Sequence, residues 1–188
     1  MNVINLYGGP SSGKSTIAAG LFSLMKTKGY SIELVTEYAK DCVYEHKNFT
    51  LSDQLYVFAK QYHKLFCIKD KVDYAIVDSP LLLSCIYNKL NKNIMPVDIF
   101  NPIVLNMYNS FTNTDIFIKK SNKINFENNG RIHNEIESTK ISNDILNFLR
   151  SITLNYKLIE YLNDNISMID TVSYLLNKIQ ENNKQNAK

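Results

Sequence analysis

Val3-Ile4-Asn5-Leu6-Tyr7-Gly8-Gly9-Pro10-Ser11-Ser12-Gly13-Lys14-Ser15-Thr16 opens the chain with an apolar run, a G-x-x-x-x-G-K-S element and a helix start. Gly8 and Gly13 allow positive φ and close backbone approach, so successive N–H groups can turn inward toward phosphate oxygens. A helix beginning near Lys14 adds the partial positive charge of its N-terminus. Lys14 then reaches the β- and γ-phosphates, and the Ser15 hydroxyl suits a Mg²⁺ ion. Val3, Ile4 and Leu6 supply a short buried strand, while Ile17, Ala18, Leu21, Phe22 and Met25 fall at helical spacing. A bare turn between strand and helix would leave Lys14-Ser15 without a reason to stand there. The stretch reads as a nucleotide-phosphate site. Gly8, Gly9, Pro10, Ser11, Ser12, Gly13, Lys14, Ser15 and Thr16 are its expected binding residues, and ATP with Mg²⁺ its expected ligands.

At 188 residues the chain is expected to form one domain over 1–180 with a substantial core, followed by a flexible tail over 181–188. No stretch approaches the roughly eighteen apolar residues of a membrane span. A strand starting at Val3 leaves no room for a leader peptide, which predicts a cytoplasmic protein. The net charge of +3 is too small to argue for a nucleic-acid or membrane partner, and the sequence leaves homo-oligomerisation open. Cys42, Cys67 and Cys85 lack C-x-x-C spacing and read as free thiols. His46, His63 and His133 are scattered, which disfavours a zinc site.

Further along, Gly29 stands where a C′ glycine ends the first helix, and Ile32 to Val35 reads as a second strand. Thr50 and Asp53 have capping-box spacing before a helix whose apolar face is Leu51, Leu55, Phe58, Tyr62, Leu65 and Phe66. Tyr74 to Val77 is a third strand delivering Asp78, with Ser79-Pro80 closing the turn. Leu81 to Leu90 reads as helical, and Asn101-Pro102 as the N-cap and first residue of another helix. Ile116 to Ile118 is a fourth strand, Leu154 to Ile159 a fifth, and Val172, Leu175, Leu176 and Ile179 mark a last helix. Strands separated by helices predict a parallel sheet covered on both faces, with ligands beyond the carboxyl ends of its strands. The first three strands end at Gly8, Glu37 and Asp78, which should therefore meet on one edge.

Asp78 at a strand end suits Mg²⁺ binding, or proton abstraction from an attacking hydroxyl; capping the following helix is the plainer role. Glu37 and Asp41, four apart, share one face if a helix begins there, placing two carboxylates toward a sugar diol or a proton to be removed. Tyr38 and Tyr44 could stack on a base. The segment 119–135 is polar and Asn-rich and suits a lid over the phosphates. Within it Arg131 offers a planar fork for phosphoryl oxygens where most cations of the chain are Lys. Arg150, beside the apolar Leu146–Leu149 stretch, reads as structural.

These pieces together resemble the nicotinamide riboside kinase part of NadR-type proteins and the small phage proteins built like it. The residues carrying the resemblance are Gly8–Thr16, Glu37-Tyr38-Ala39-Lys40-Asp41, Asp53-Gln54-Leu55-Tyr56 with Gln61, Val77-Asp78-Ser79-Pro80, and Gly130-Arg131 followed by Glu135 and Glu137. The family's lid reads G-R-x-Q-T-E-x-E, whereas this chain has His133-Asn134 in place of Gln-Thr. The expected fold is an α/β P-loop NTPase three-layer sandwich, with a five-stranded parallel sheet in the order 2-3-1-4-5, helices on both faces and a lid.

The expected activity is ATP- and Mg²⁺-dependent phosphoryl transfer to a nucleoside or nucleotide acceptor, with nicotinamide riboside implied by the resemblance. Lys14 would neutralise the triphosphate, Ser15 and Asp78 would hold the metal, and Glu37 or Asp78 would act as base. Tyr38 and Asp41 would bind the acceptor with Glu37, and Arg131 would close over the transferred group. A polynucleotide 5′-hydroxyl kinase and an ATPase module without a small acceptor are the alternatives. A GTPase switch is disfavoured: each Asn-Lys pair lacks the Asp of N-K-x-D, and Asp78-Ser79-Pro80-Leu81 lacks the Gly of D-x-x-G.

Overall fold

The computed structural model describes residues 1–92, 95–120, 134–152, 159–163 and 168–186. The strands are β1 (Asn2–Tyr7), β2 (Ile32–Val35), β3 (Tyr74–Val77), β4 (Thr112–Lys120) and β5 (Ile159–Asn163). The helices are α1 (Lys14–Thr27), α2 (Tyr38–Tyr44), α3 (Asn48–Ser52), α4 (Gln54–Ile68), α5 (Leu83–Leu90), α6 (Val97–Asn109), α7 (Glu135–Ile152) and α8 (Met168–Asn186). The strands form one five-stranded sheet in the order β2-β3-β1-β4-β5, every pair parallel.

Successive strand side chains point to opposite faces, and apolar residues at both parities give the sheet two buried sides. Ile4, Leu6, Ile76, Ile116 and Ile118 pack beneath α1 and α8, which contribute Ile17, Leu21, Val172 and Leu175. Val3, Tyr7, Val77 and Phe117 face the other way, against α4 through α7, whose Phe58, Phe100, Val104, Ile141 and Leu149 fill that core. Helices on both faces of a parallel sheet make the three-layer sandwich. Among the described residues no helix is long and apolar enough to cross a membrane.

Polar residues in the sheet explain where the elements depart from the apolar pattern. β4 begins at Thr112, before the expected Ile116. Its polar first half is admitted because Asn5 donates to Asn113 Oδ1 and to Asp115 Oδ1, both at 3.0 Å, and the Tyr108 hydroxyl donates to Asp115 Oδ2. Burial pushes the Asp115 carboxyl up from its ordinary value, with hydrogen bonds from Tyr108 and Asn5 opposing. The same surroundings hold the Tyr7 hydroxyl well above the usual phenol range, burial first and the neighbouring Asp115 second.

Other boundaries also move. Asp53 caps α4, accepting from the Tyr56 amide at 3.0 Å, so Thr50 lies inside α3 and does not open the capping box. α6 starts at Val97 behind Pro96, placing Pro102 inside the helix, where its missing N–H removes one i→i−4 bond. β5 spans Ile159–Asn163, paired from Ile116↔Ile159 to Lys120↔Asn163; the expected fifth strand overlaps it only at Ile159, its other residues lying outside the described ones. α8 continues to Asn186, past the expected end near residue 180. The end of α1 is as expected: Gly29 has φ +84°, and Gly29 and Tyr30 donate to the carbonyls of Lys26 and Met25.

Candidate functional site

The loop from Gly8 to Gly13 leaves the carboxyl end of β1 and enters α1 directly. At Gly8, with φ +150°, a Cβ would stand 2.5 Å from Ser12 Oγ and 2.6 Å from the Ile118 carbonyl oxygen. Only glycine fits. Ser11 adopts φ +60°, a left-handed state costing a non-glycine residue about 1–2 kcal/mol, so the surrounding contacts hold this loop against its own preference. Gly13, at φ +90°, is the residue before α1, and Lys14, Ser15 and Thr16 form the helix's first turn. The Lys14 ammonium folds back over the loop and donates to the carbonyls of Gly8 and Gly9, each at 3.0 Å.

Register brings the acidic residues to the same edge. Asn5 pairs with Val77 and Val77 with Val35, so Asp78 and Thr36-Glu37 leave the sheet beside the strand that delivers the loop. The Asp78 amide extends the pairing by donating to the Val35 carbonyl at 3.1 Å. Asp78 itself is buried, and its Oδ1 has no hydrogen-bond partner among the described residues. An orphaned buried carboxylate oxygen at this edge has the chemistry of an oxygen ligand to a hard cation.

A cavity of about 340 Å³ opens between Pro10 of the loop, Glu37, Ser79-Pro80 and the helices α2 to α5. Its walls are apolar at Val43, Leu51, Val57 and Leu83, with the amides of Asn48, Gln54, Gln61 and Asn91 and the Tyr87 ring among them. Glu37 and Lys40 are the charged residues among its described lining. Tyr38 and Asp41 do not line it. The Tyr38 ring lies edge-on to Tyr56, centroids 6.1 Å apart, and hydrogen bonding with Tyr56, then Cys42, raises its hydroxyl above the ordinary phenol pKa. Asp41 faces Lys64, with Nζ 3.7 Å from Oδ2.

The glutamines of α4, which enter the sequence analysis only through the resemblance, stand on the buried face of that helix. Gln54, Phe58, Gln61 and Leu65 follow 4–3–4 spacing, the phase of the buried face, and all four are buried. Leu55 and Phe66, assigned to that face by apolarity, are exposed. Amides at core phase were the signal, because a buried polar group needs a partner or a ligand. Gln61 has its partners around Glu37: its Oε1 accepts from the Tyr38 amide at 3.1 Å and its Nε2 donates to the Thr36 carbonyl at 3.4 Å. Gln54 donates to the Leu51 carbonyl at 2.8 Å.

Arg131 and most of the lid expected at 119–135 lie outside the described residues. At its ends, Lys119 pairs with Glu160 at 2.6 Å and Lys120 with Glu135 at 2.7 Å. Arg150 joins Lys119 on Glu160, and these two cations hold that carboxyl below its ordinary value.

A glycine loop between β1 and α1 in a parallel 2-3-1-4-5 sheet defines a P-loop NTPase fold of the kinase type. A family model described as an AAA domain matches residues 3–166, and the chain belongs to that family. Solved structures similar to it include deoxyadenosine kinase from M. mycoides with bound dATP, at TM-score 0.62 and 20% identity, covering 95% of this chain and 99% of that one. The same kinase with dCMP and dCDP gives TM-score 0.61 at 18% identity, covering 95% and 99%. The APS kinase CysC of Mycobacterium tuberculosis, with AMPPNP and APS, gives 0.52 at 11% identity, covering 95% and 97%. No curated protein matches the sequence.

Proposed function

We propose that this protein is an ATP- and Mg²⁺-dependent kinase that phosphorylates a hydroxyl of a nucleoside-like small molecule. The observation that carries this reading is the cavity of about 340 Å³ between Pro10 of the phosphate loop and Glu37, a volume within the usual range for small-molecule sites. The fold shared with a deoxyadenosine kinase and an APS kinase supports phosphoryl transfer to a small acceptor. A nicotinamide riboside-like molecule is the acceptor that the NadR resemblance suggests.

In this reading the loop amides and Lys14 hold the triphosphate, and Lys14 exchanges its bonds to the Gly8 and Gly9 carbonyls for phosphate oxygens. Ser15 and Asp78 hold Mg²⁺, which supplies neutralisation of the phosphate charge when bound. Glu37, bracketed by the Gln61 amide, takes the acceptor's hydroxyl proton. The acceptor oxygen then bonds to the γ-phosphorus as the bridging bond to the β-phosphate breaks, releasing ADP. Alignment and charge neutralisation supply most of the acceleration.

The test is transfer of radiolabel from γ-labelled ATP to a panel of nicotinamide riboside, other nucleosides, nucleoside monophosphates and 5′-hydroxyl oligonucleotides. Labelled nucleoside product is expected. Label on the oligonucleotide alone would make this a polynucleotide kinase, and ATP hydrolysis unaffected by every acceptor would make it an ATPase module.

A further inference from the structure

The first turns of α7 lie directly against Gly9 and Pro10 of the phosphate loop. Ser138 is buried, and its hydroxyl donates to the Pro10 carbonyl oxygen at 2.6 Å. The approach is close enough that a Cβ on Gly9 would stand 2.7 Å from the Ser138 carbonyl oxygen and 2.9 Å from Ser142 Cβ. Ser138 and Ser142, one helical turn apart, thus present small side chains to Gly9, while Ile141, Ile145 and Leu149 bury α7 in the core. The helix is therefore a fixed wall on which the loop rests.

The bond has a directional consequence for the loop. The Pro10–Ser11 peptide is trans, as all the described peptide bonds are, and in a planar trans peptide the C=O and the following N–H point in opposite directions. With the Pro10 carbonyl held by Ser138, the Ser11 N–H points away from α7. Ser11 stands at φ +60°, a backbone state it does not prefer, so this orientation needs an external hold.

We infer that Ser138 is a positioning residue for nucleotide binding: through its hydroxyl, α7 sets the Pro10–Ser11 peptide so that the loop presents an N–H to the triphosphate. This rests on the kinase reading given above. Ser138 touches no reacting atom; it acts through the loop.

The experiment compares Ser138→Thr with Ser138→Val, side chains of equal shape that differ in the hydroxyl, by calorimetric titration with ATP and Mg²⁺ in the absence of acceptor. Ser138→Ala, which adds no volume, is the third variant in case the branched side chains prevent folding. The Thr variant is expected to bind about tenfold more tightly than the Val variant, and wild type about tenfold more tightly than the Ala variant, the effect of about one hydrogen bond. The KM for the acceptor should stay constant across the series. A purely structural Ser138 would move the melting temperature and leave ATP affinity equal between Thr and Val, or between wild type and Ala; that outcome overturns the inference while ATP binding by wild type keeps the kinase reading. Wild type that binds no ATP removes both.

Discussion

Asn134 and Glu137 cap each other: the Asn134 amide donates to Glu137 Oε2 and the Glu137 amide to Asn134 Oδ1, both at 2.9 Å. This reciprocal pair is a capping box that starts α7 three residues before the serine–proline contact with the loop. It also gives physical content to a sequence difference, because the lid pattern that the sequence resembles carries Thr where this chain has Asn134, and both residues are good N-caps. Asn134→Ala is expected to cost about 1 kcal/mol in urea unfolding, and Asn134→Thr only a few tenths. Equal losses for Ala and Thr would show that the cap contributes nothing.

Gly8→Ala places a methyl group against the Ile118 carbonyl oxygen at 2.6 Å, where a backbone atom of a central strand cannot step aside. The expected cost is about 1–3 kcal/mol of stability, together with loss of ATP binding. Urea unfolding and nucleotide titration read the two effects. A variant of unchanged stability that still binds ATP would mean that the loop relaxes freely.

Lys14→Ala removes two hydrogen bonds to loop carbonyls at the surface end of α1 and no packed core volume. The melting temperature should barely move, while turnover should fall at least ~10²-fold, the scale for losing one preorganised electrostatic contact. Near-normal turnover would reject the role given to Lys14.

Glu37→Gln keeps the shape and the backbone clamp from Gln61 but removes the carboxylate proposed to take the acceptor's proton. ATP binding is expected to survive and transfer to be abolished. If ATP binding is lost instead, Glu37 belongs with the metal ligands.

Asp115 makes a pH prediction. Its folded-state pKa is raised above the ordinary 3.8, so the folded protein holds this proton more tightly than the unfolded chain does. The stabilisation linked to it is complete below the unfolded value and is lost as pH rises through the raised folded value. The stability difference between wild type and Asp115→Asn should therefore shift in favour of the Asn variant from acid to neutral pH. A difference that does not change with pH, measured by urea unfolding, would contradict the assignment.

The sequence by itself determined the phosphate loop, the alternation of strands and helices and the carboxylates at the strand ends. These are local: a strand, a glycine turn and a helix start are contiguous, and the hydrophobic period of each element is written within it. It did not extend β5 to Asn163, nor place the start of α6 or the buried face of α4, the last two where Pro102, Gln54 and Gln61 run against the apolar pattern.

Only the tertiary structure decided what faces the cavity. Asp41 and Tyr38 follow Glu37 in the chain, yet Lys64 and Tyr56 of α4 draw them away from it. Ser138 meets Pro10 across 128 residues, and Gln61 meets the Tyr38 amide across 23. Such partners are brought together by strand order and helix packing, and a chain read residue by residue carries no measure of those distances.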